Sequence, residues 1–465
     1  MNLKTILIFG ILTTIAAASG FAQKQAPPQA GTPKNFKIPA GRSFTLDNGL
    51  TVTLIPYGKI PKTTFRFVVR TGGVDEPADR VWISSFVADY LKEGTASLTS
   101  KQIAEAAAGM GGEISSASGD DTSGLSGTVL SEFAPDFLKL LAGMLQGPKF
   151  PESELARIQA DYLRRIAVAK SQPGTLAQVG FLHAIYGDHP YGRLFPTEAA
   201  VKGYTIAMVR KFYDDNYGAK RTRLYIAGVF DDKKIERAVR ENLGNWRRGA
   251  APIPNVPAPK SKRTIYVLDR PGSVQSTIYI GLPAVDPTHK DFIAFQVTDS
   301  LLGGSFGSRI TANIRENKGY TYSPGSILET RFRSGDWFEQ ADVSTDVTGA
   351  TLKEIFFEIE RLAKEPPPAV ELKGIQNNFA GIFVLQNSSP GGIIGQLGYL
   401  ELHGLPRSYL DSYVQTVFQV APAEVSRIVR EHLRAKDMTI YIVGDLAKIK
   451  DQLAPYGMIV KDEIK

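Results

Sequence analysis

Two segments of this chain repeat one pattern at a constant separation of 216 residues, without a gap. Residues 208–228 predict a helix that leads into an apolar strand ending at Gly228, and residues 424–444 predict the same elements ending at Gly444. Another amphipathic helix pattern follows each strand. Chance supplies an apolar strand and a glycine more easily than a preceding helix in register, so the repeat indicates an internal duplication. We therefore expect two halves of similar plan.

Strand and helix patterns are present in both halves. The first half opens with a predicted hairpin around Asp47-Asn48-Gly49, residues that favour a tight reversal between strands. Its other strands are predicted from apolar and β-branched runs, and its helices from apolar residues three and four apart. The predicted strands are 43–46, 50–55, 64–70, 113–118, 124–130, 264–268 and 275–282, and the predicted helices are 81–91, 134–146, 291–302 and one beginning at Pro151.

A linker is predicted at 247–263, between a domain at 41–246 and a domain at 264–465. Four prolines fall within this stretch, and neither helical nor strand periodicity continues through it. At 465 residues the chain is long enough for two domains that each bury a core.

Residues 1–22 predict a secretory signal peptide. Lys4 precedes an apolar run, and small residues before Gln23 form a cleavage pattern. The run is shorter than the ~20 residues that a membrane span needs, so we expect cleavage rather than anchoring. The stretch 23–40 is rich in Pro, Gln and Ala and predicts a disordered leader. We expect a periplasmic or cell-surface protein with no stable membrane span in the mature chain.

Composition excludes several function classes. There are no cysteines, which excludes disulfides, thiolate catalysis and Cys-bound metals. The net charge of +7 is not gathered into a Lys/Arg run, so we expect no nucleic acid as a partner. The five histidines include no pair four residues apart, and His183 and His189 are interpreted as core or turn residues rather than metal ligands.

The predicted helix at 81–91 lies between a Gly-Gly turn and Gly94-Thr95. Its apolar residues recur at 83, 86/87 and 90/91, which is the spacing of an amphipathic helix. No histidine occurs before His183. Any metal site in this part of the first half would therefore have to do without imidazole ligands.

This frame resembles the start of the insulinase/pitrilysin-like zinc peptidases, the inverzincins. Further motifs in the same order support the resemblance, which covers about residues 40 to 455: Leu46-Asp47-Asn48-Gly49-Leu50, Gly147-Pro148-Lys149-Phe150-Pro151, His189-Pro190-Tyr191-Gly192-Arg193, 302–309 and 314–323. The resemblance implies an α+β fold with two homologous α/β domains of about 200 residues, each a mixed sheet backed by helices, in a clamshell arrangement.

The family carries H-x-x-E-H on this helix and a further Glu ligand about 75 residues later. Counted back from Gly94-Thr95, the two His positions hold Ser85 and Asp89, and the Glu position holds Ala88. The later ligand position holds Arg165. An arginine side chain stays protonated and cannot ligate a cation, so we expect no metal in this chain. Ser85 and Asp89 alone would also make a poor site for a hard cation.

The resemblance also implies a role for the second half. In catalytic assemblies of the family, a C-terminal half supplies an Arg and a Tyr to the zinc site across a chamber, and Arg315 and Tyr322 match those positions. A guanidinium suits a substrate carbonyl, and a phenol suits a developing oxyanion. The alternative is that Arg315 is a surface helix residue and Tyr322 a half-buried strand aromatic.

Three functions follow as hypotheses. The first is a non-catalytic subunit that supplies Arg315 and Tyr322 to a homologous partner bearing H-x-x-E-H, with zinc in that partner and a peptide as substrate. The second is a structural scaffold on the same fold, and the third is a peptide-binding or chaperone-like homodimer without hydrolysis. Retention of both residues favours the first over the second, because a scaffold has no use for an oxyanion donor.

Overall fold

The computed structural model describes residues 31, 37–39 and 41–463. The predicted signal peptide at 1–22 lies outside the described residues, as does nearly all of the predicted leader. The expectation of two α/β halves is confirmed: each half contains a six-stranded mixed sheet. No helix in the described part of the chain combines the length and apolar character needed to cross a membrane.

Five of the six strands in each sheet lie in equivalent order. The first sheet runs β1-β2-β6-β3-β5-β4 and the second β12-β7-β11-β8-β10-β9. The strands are β1 (Arg42–Thr45), β2 (Thr51–Pro56), β3 (Lys62–Val69), β4 (Glu113–Ser118), β5 (Ser123–Leu130), β6 (Thr222–Gly228), β7 (Ile265–Asp269), β8 (Gln275–Ala284), β9 (Gly325–Arg331), β10 (Ser334–Ser344), β11 (Thr439–Gly444) and β12 (Ile459–Asp462).

The duplicated segments form the equivalent inner strands β6 and β11. Each is parallel to one neighbour and antiparallel to the other. The halves differ at one edge, where β1 precedes β2 and pairs with it antiparallel, whereas β12 comes from the end of the chain and pairs parallel to β7. The shared order supports the duplication inferred from the sequence.

The helices of the first half are α1 (Ile83–Tyr90), α2 (Ser100–Gly109), α3 (Ala134–Gln146), α4 (Leu155–Ser171), α5 (Pro173–Tyr186), α6 (Glu198–Gly203), α7 (Ile206–Asn216) and α8 (Asp232–Leu243). Those of the second half are α9 (Phe292–Asp299), α10 (Arg309–Thr311), α11 (Thr348–Lys364), α12 (Ala369–Gln386), α13 (Pro390–His403), α14 (Ser408–Gln419), α15 (Pro422–His432) and α16 (Leu446–Leu453).

The helix predicted at 81–91 is observed as α1, Ile83–Tyr90, and two other predicted helices also differ from the observed ones at their ends. The helix expected from Pro151 begins at Leu155, after a 3-10 turn at Glu152–Glu154. The helix expected over 291–302 ends as α9 at Asp299 and continues as a π-helical turn, Ser300–Gly304. Wider turns of this kind are frequent at functional sites.

Each half has its own core on one face of its sheet. The opposite face of each sheet packs against a helix from the other half. In the first sheet, Ile55, Tyr225 and Ala227 pack against α12, α13 and α14. In the second, Tyr279, Phe338 and Tyr441 pack against α5.

Each half thus supplies a helix to the other half's sheet. The two helices, α5 and α13, occupy equivalent places in the repeat. Both inner strands are therefore covered on both faces, which explains why β6 and β11 are almost continuously apolar. Burial of a large apolar side chain contributes about 1.5–3 kcal/mol, so these two clusters hold the halves together strongly.

Candidate functional site

The degenerate zinc-site positions lie on α1, which a buried carboxylate positions. Glu76 accepts hydrogen bonds from the backbone N–H groups of Trp82 and Ser84, at 2.8 and 2.9 Å, and from the Ser84 hydroxyl. These amides have no partner within the helix, so the carboxylate acts as its N-terminal cap. Burial raises the pKa of Glu76. The α1 helix is thus anchored as a structural element even though the zinc ligands are gone.

Two of the replaced residues, Asp89 and Arg165, contact Tyr162 of α4. Tyr162 donates a hydrogen bond of 2.9 Å to Oδ2 of Asp89, and Lys92 Nζ lies 3.7 Å from its other oxygen. The Arg165 guanidinium lies 4.7 Å from the centroid of the Tyr162 ring. Burial, then the neighbouring Asp89 charge, raises the pKa of Tyr162. The structure therefore brings Asp89 and Arg165 together around one phenol.

This arrangement does not fit zinc. A zinc site needs neutral imidazoles or anionic ligands converging on one point. Here the Asp89 carboxylate already accepts from Tyr162 and lies beside Lys92, Ala88 offers no ligand atom, and Arg165 is a permanent cation. Asp89 and Arg165 instead contact the ring and hydroxyl of Tyr162.

A cavity of about 320 Å³ lies beside Ser85 and is lined by residues of both halves. From the first half come Ser85, Ser118 and Asp120, and from the second come Glu329 and Arg331. Burial raises the pKa of Glu329. The wall facing the former metal position is therefore polar and built across the junction between the halves.

Asp120 and Asp121 bind the second half, a role that the local sequence does not indicate. Arg331 Nε donates to Asp120 at 2.7 Å. Asp121 is buried and accepts from the Tyr191 hydroxyl at 2.7 Å and from the Phe332 N–H at 2.9 Å. Both carboxylates thus bind the β9–β10 turn of the second half. No local pattern could have indicated this, because the partners are about two hundred residues away.

Arg315 and Tyr322 lie together on the surface of the second half. Arg315 belongs to a π-helical turn, Ala312–Asn317, and its guanidinium lies 5.0 Å from the Tyr322 ring centroid. On another side the same guanidinium lies 4.3 Å from the ring of Phe306. Tyr322 is 81% exposed and Phe306 is 74% exposed. The Arg315 side chain is itself only 22% exposed, and cation–π contacts of this kind hold its guanidinium in a defined direction.

The alternative of a half-buried strand aromatic is wrong for Tyr322. Strand β9 begins at Gly325, three residues later, and the phenol faces two open cavities. One has a volume of about 700 Å³, with Gln275 and Asp342 in its wall, and the other about 300 Å³, with Phe306 in its wall. Arg315 and Tyr322 line both. Their polar groups are therefore accessible to a molecule that enters from either side.

Two buried carboxyl groups, those of Asp299 and Glu339, lie under the glycine turn that precedes Phe306. Asp299 accepts from the Ser326 hydroxyl and, at 2.7 Å, from Nε1 of Trp337. Glu339 is fully buried beside it, and burial, then the Asp299 charge, raises the pKa of Glu339 well above its ordinary value. A Cβ on Gly303 would lie 2.4 Å from Glu339 Oε2. The Gly303–Gly304 turn before Phe306 thus rests directly on the two acids.

One group of histidines and acids with metal-ligand spacing occurs among the described residues: His289, Asp291 and His432. Local spacing in the sequence does not indicate this group, because His432 lies 141 residues from Asp291. The Asp291 carboxylate accepts from Nη1 and Nη2 of Arg427, at 3.1 and 2.8 Å, and lies 2.9 Å from His432 Nε2. His289 Nδ1 accepts from the Asp291 N–H. These atoms are already used in an ion-pair network around Arg427.

Comparisons with known proteins agree with this architecture. The model of the insulinase family, peptidase family M16, matches residues 53–195, and the model of the peptidase M16 inactive domain matches residues 204–379. The chain belongs to the insulinase family. The resemblance inferred from the motifs is confirmed.

Relatives within the insulinase family include two proteins named as uncharacterized zinc proteases. One, from Streptomyces coelicolor, is 23% identical over 93% of this chain and 96% of its own length. The other, from Rickettsia felis, is 26% identical over 71% of this chain and 79% of its own length. The match extends over nearly the full length of the first relative, so this chain has the family's two-half organisation.

Solved structures share the fold. A peptidase M16 inactive domain from Pseudomonas fluorescens matches with a TM-score of 0.81 and 24% identity, over 87% of this chain and 98% of that chain. A chain of complex III2 from Candida albicans matches with a TM-score of 0.74 and 12% identity, over 90% of this chain and 100% of that one. Within the insulinase family, this chain is a member without the H-x-x-E-H motif.

Proposed function

We propose that this chain is the non-catalytic subunit of a two-chain zinc peptidase that hydrolyses peptides. The exposed Tyr322, stacked on Arg315 beside two open cavities, carries the proposal. Tyr322 and Phe306 expose two aromatic rings beside one guanidinium, and such a contiguous exposed patch is more informative about binding than a single exposed ring. The partner would be a homologous chain bearing H-x-x-E-H, and the metal and general base would belong to that partner.

The chemistry of the pair suits a peptide bond under attack. When a water attacks the scissile carbonyl, negative charge develops on the carbonyl oxygen. The Tyr322 hydroxyl would donate a hydrogen bond to that oxygen, and the Arg315 guanidinium would hold a neighbouring main-chain oxygen. Because Phe306 and Tyr322 both contact the guanidinium, the Arg315 side chain would lose little conformational freedom when a substrate binds.

The same proposal places the complex outside the cytoplasm. The signal-peptide pattern at 1–22 supports secretion across the inner membrane and a periplasmic or cell-surface location. The interface with the partner should bury more than ~1,000 Å², as stable protein pairs do.

Reconstitution tests the proposal. The mature chain, residues 23–465, is mixed with an H-x-x-E-H relative from the same organism, and complex formation and cleavage of a fluorogenic peptide are measured. We expect a heterodimer that is much more active than either chain alone. Full activity of the relative alone would contradict the proposal and favour the scaffold. A peptide-binding homodimer that gains no activity on mixing would favour the third hypothesis.

A further inference from the structure

A further cavity, of about 280 Å³, lies between the two halves and the linker, and neither Arg315 nor Tyr322 lines it. It opens on the face of the first sheet that α13 covers, where Val68 and Tyr225 point outward from the first core. Linker residues 252–255 form one wall, and Phe332 and Arg333 of the β9–β10 turn form another. The cavity is therefore shared by the first half, the linker and the second half.

The charges around this cavity do not balance. Five cationic side chains and three carboxylates line it: Arg70, Lys220, Arg221, Arg223 and Arg333, with Asp75, Asp121 and Glu401. Asp75 lies 3.5 Å from Arg221, and Glu401 lies 2.8 Å from Arg223. Asp121 is hydrogen-bonded to Tyr191 and Phe332, and burial raises its pKa.

Three cations remain without a salt bridge to any described residue: Arg70, Lys220 and Arg333. Arg70 is the most informative, because it is half-buried. Its Nη1 donates to the Leu402 carbonyl at 3.1 Å, which leaves most of its five donors available. Burial lowers the pKa of Arg70. The charges of Asp121, Asp75 and Glu401 act on Arg70 from beyond salt-bridge distance. An anion in direct contact would stabilise this partly buried guanidinium further, through charge-assisted hydrogen bonds.

The backbone conformation of Arg333 is a second, independent observation. Its backbone φ is 55°, in the left-handed region, where a residue with a Cβ is strained by about 1 kcal/mol or more. Arg70 and Arg333 both approach one ring: their guanidinium carbons lie 4.1 and 5.6 Å from the Phe332 centroid. Arg333 is exposed, and a glycine in its place would relieve the strain but remove the guanidinium.

The surroundings keep this region positive and partly apolar. His403 is buried nearby, and burial, together with the charges of Arg70 and Arg333, lowers its pKa to about 4. The remaining wall is built from the apolar side chains of Val68, Val74 and Leu402. A ligand that fits both features has one anionic end and one apolar end.

We propose that this cavity binds a small organic carboxylate with a short apolar chain, held by Arg70 and Arg333. The carboxylate lies between the two guanidinium groups, and the chain lies against Val68, Val74 and the Phe332 ring. Because Arg70 belongs to the first half and Arg333 to the second, the ligand bridges the halves. It stabilises their relative arrangement by mass action, whether or not the chain acts as a peptidase subunit.

Calorimetric titration and thermal unfolding of the mature chain at constant ionic strength test this site. The probes are hexanoate, inorganic phosphate and hexanol. We expect hexanoate to bind and raise Tm, and phosphate and hexanol to bind at least about tenfold more weakly, since each lacks one of the two features. Equal binding of phosphate would overturn the apolar half of the assignment, and equal binding of hexanol would overturn the anionic half.

Two variants separate binding from folding. Arg333→Gly should weaken hexanoate binding at least about tenfold while raising Tm in its absence, because glycine accepts the left-handed conformation. Arg70→Met should also weaken binding. Arg164→Met, on an exposed part of α4, should leave it unchanged. Undiminished binding by Arg333→Gly, or no binding of hexanoate to the unaltered chain, would refute the proposal.

Discussion

Gly180 of α5 lies directly against the ring of Tyr441 in β11. A Cβ on Gly180 would stand 1.9 Å from Tyr441 Cζ and 2.3 Å from its hydroxyl oxygen. The ring cannot move away easily, because Tyr441 is fully buried and its hydroxyl donates to Asp462 at 2.7 Å. This contact joins a helix of the first half to the sheet of the second.

The repeat counterpart of Tyr441 is Tyr225, which lies under α13. There the helix presents Gly398, and no atom lies within 4 Å of a Cβ built on that glycine. Tyr225 and Gly398 instead line the cavity of about 280 Å³. The duplication thus left a close contact at one junction and an open space at the other, which is where we place the carboxylate site.

Gly180→Ala should lower the free energy of unfolding by about 1–3 kcal/mol, because the methyl group overpacks the junction with Tyr441. Gly398→Ala is the matched control on the equivalent helix, and it should stabilise by about 0.5–1 kcal/mol through helix propensity and a less flexible unfolded chain. Chemical denaturation measures both. Equal effects of the two substitutions would show that the close contact is unimportant.

The mature chain alone should bind no stoichiometric zinc and hydrolyse no peptide. Restoring Ser85→His, Ala88→Glu and Asp89→His should not recover activity, because Arg165 still places a positive charge where the last ligand belongs. Metal analysis and a peptidase assay measure this. About one tightly held zinc per unaltered chain would refute it and would direct attention to ligands elsewhere.

In the reconstituted heterodimer, Tyr322→Phe should lower kcat by about 10²- to 10³-fold, with little change in KM, because an oxyanion donor acts as charge develops. Tyr320→Phe is the control, since that phenol lies two residues away in the wall of the same cavity. Zinc content and dimerisation should be unchanged by either substitution. Near-normal kcat for Tyr322→Phe would mean that Tyr322 is not catalytic.

Arg315→Lys should impair the same heterodimer although the charge is kept. An ammonium group lacks the planar donor pair of a guanidinium and stacks less well between Phe306 and Tyr322. If Arg315 holds substrate, the loss should fall mainly on KM. Arg164→Lys, on exposed α4, is the control. Equal steady-state kinetics for both variants would remove Arg315 from the proposed site.

The Asp299–Glu339 pair should make stability depend on pH. Burial raises the pKa of Asp299 from 3.8 to about 6, so the folded chain favours the protonated acid. The stabilisation of the folded chain that results from this pKa difference is fully present below the unfolded pKa of Asp299 and is lost as pH rises through about 6. Its loss lowers the free energy of unfolding by about 3 kcal/mol. Burial and the Asp299 charge also raise the pKa of Glu339 well above its ordinary value, so its carboxyl group likewise destabilises the folded chain as pH rises. Glu339→Gln removes this carboxyl group and should raise Tm more at pH 8 than at pH 5.

Glu360→Gln, at an exposed position of α11, is the control for this pH dependence. It should leave the pH profile of Tm unchanged. If Glu339→Gln also leaves the profile unchanged, the pair beneath Gly303 is ionised without cost in the folded chain.

Local elements were predictable because they depend on local chemistry. The Asp47-Asn48-Gly49 turn forms the expected hairpin between β1 and β2, with Gly49 at a φ of 97°. The helix expected at 134–146 is α3, Ala134–Gln146. The apolar periodicity at 81–91 corresponds to α1, although Trp82 in the left-handed region shortens it. The proposed domain boundaries and location remain predictions.

The sequence by itself determined that the family's H-x-x-E-H motif is absent, since Ser85, Ala88 and Asp89 stand at its three positions and the permanent cation of Arg165 stands at the later ligand's. Only the tertiary structure decided what is exposed and what lies together. It left Tyr322 in solvent, buried Glu339 and placed Arg70 and Arg333 in the wall of one cavity. That shared cavity depends on how the two halves pack against each other. Such packing sums many weak contacts between residues far apart in the chain, which no local pattern encodes.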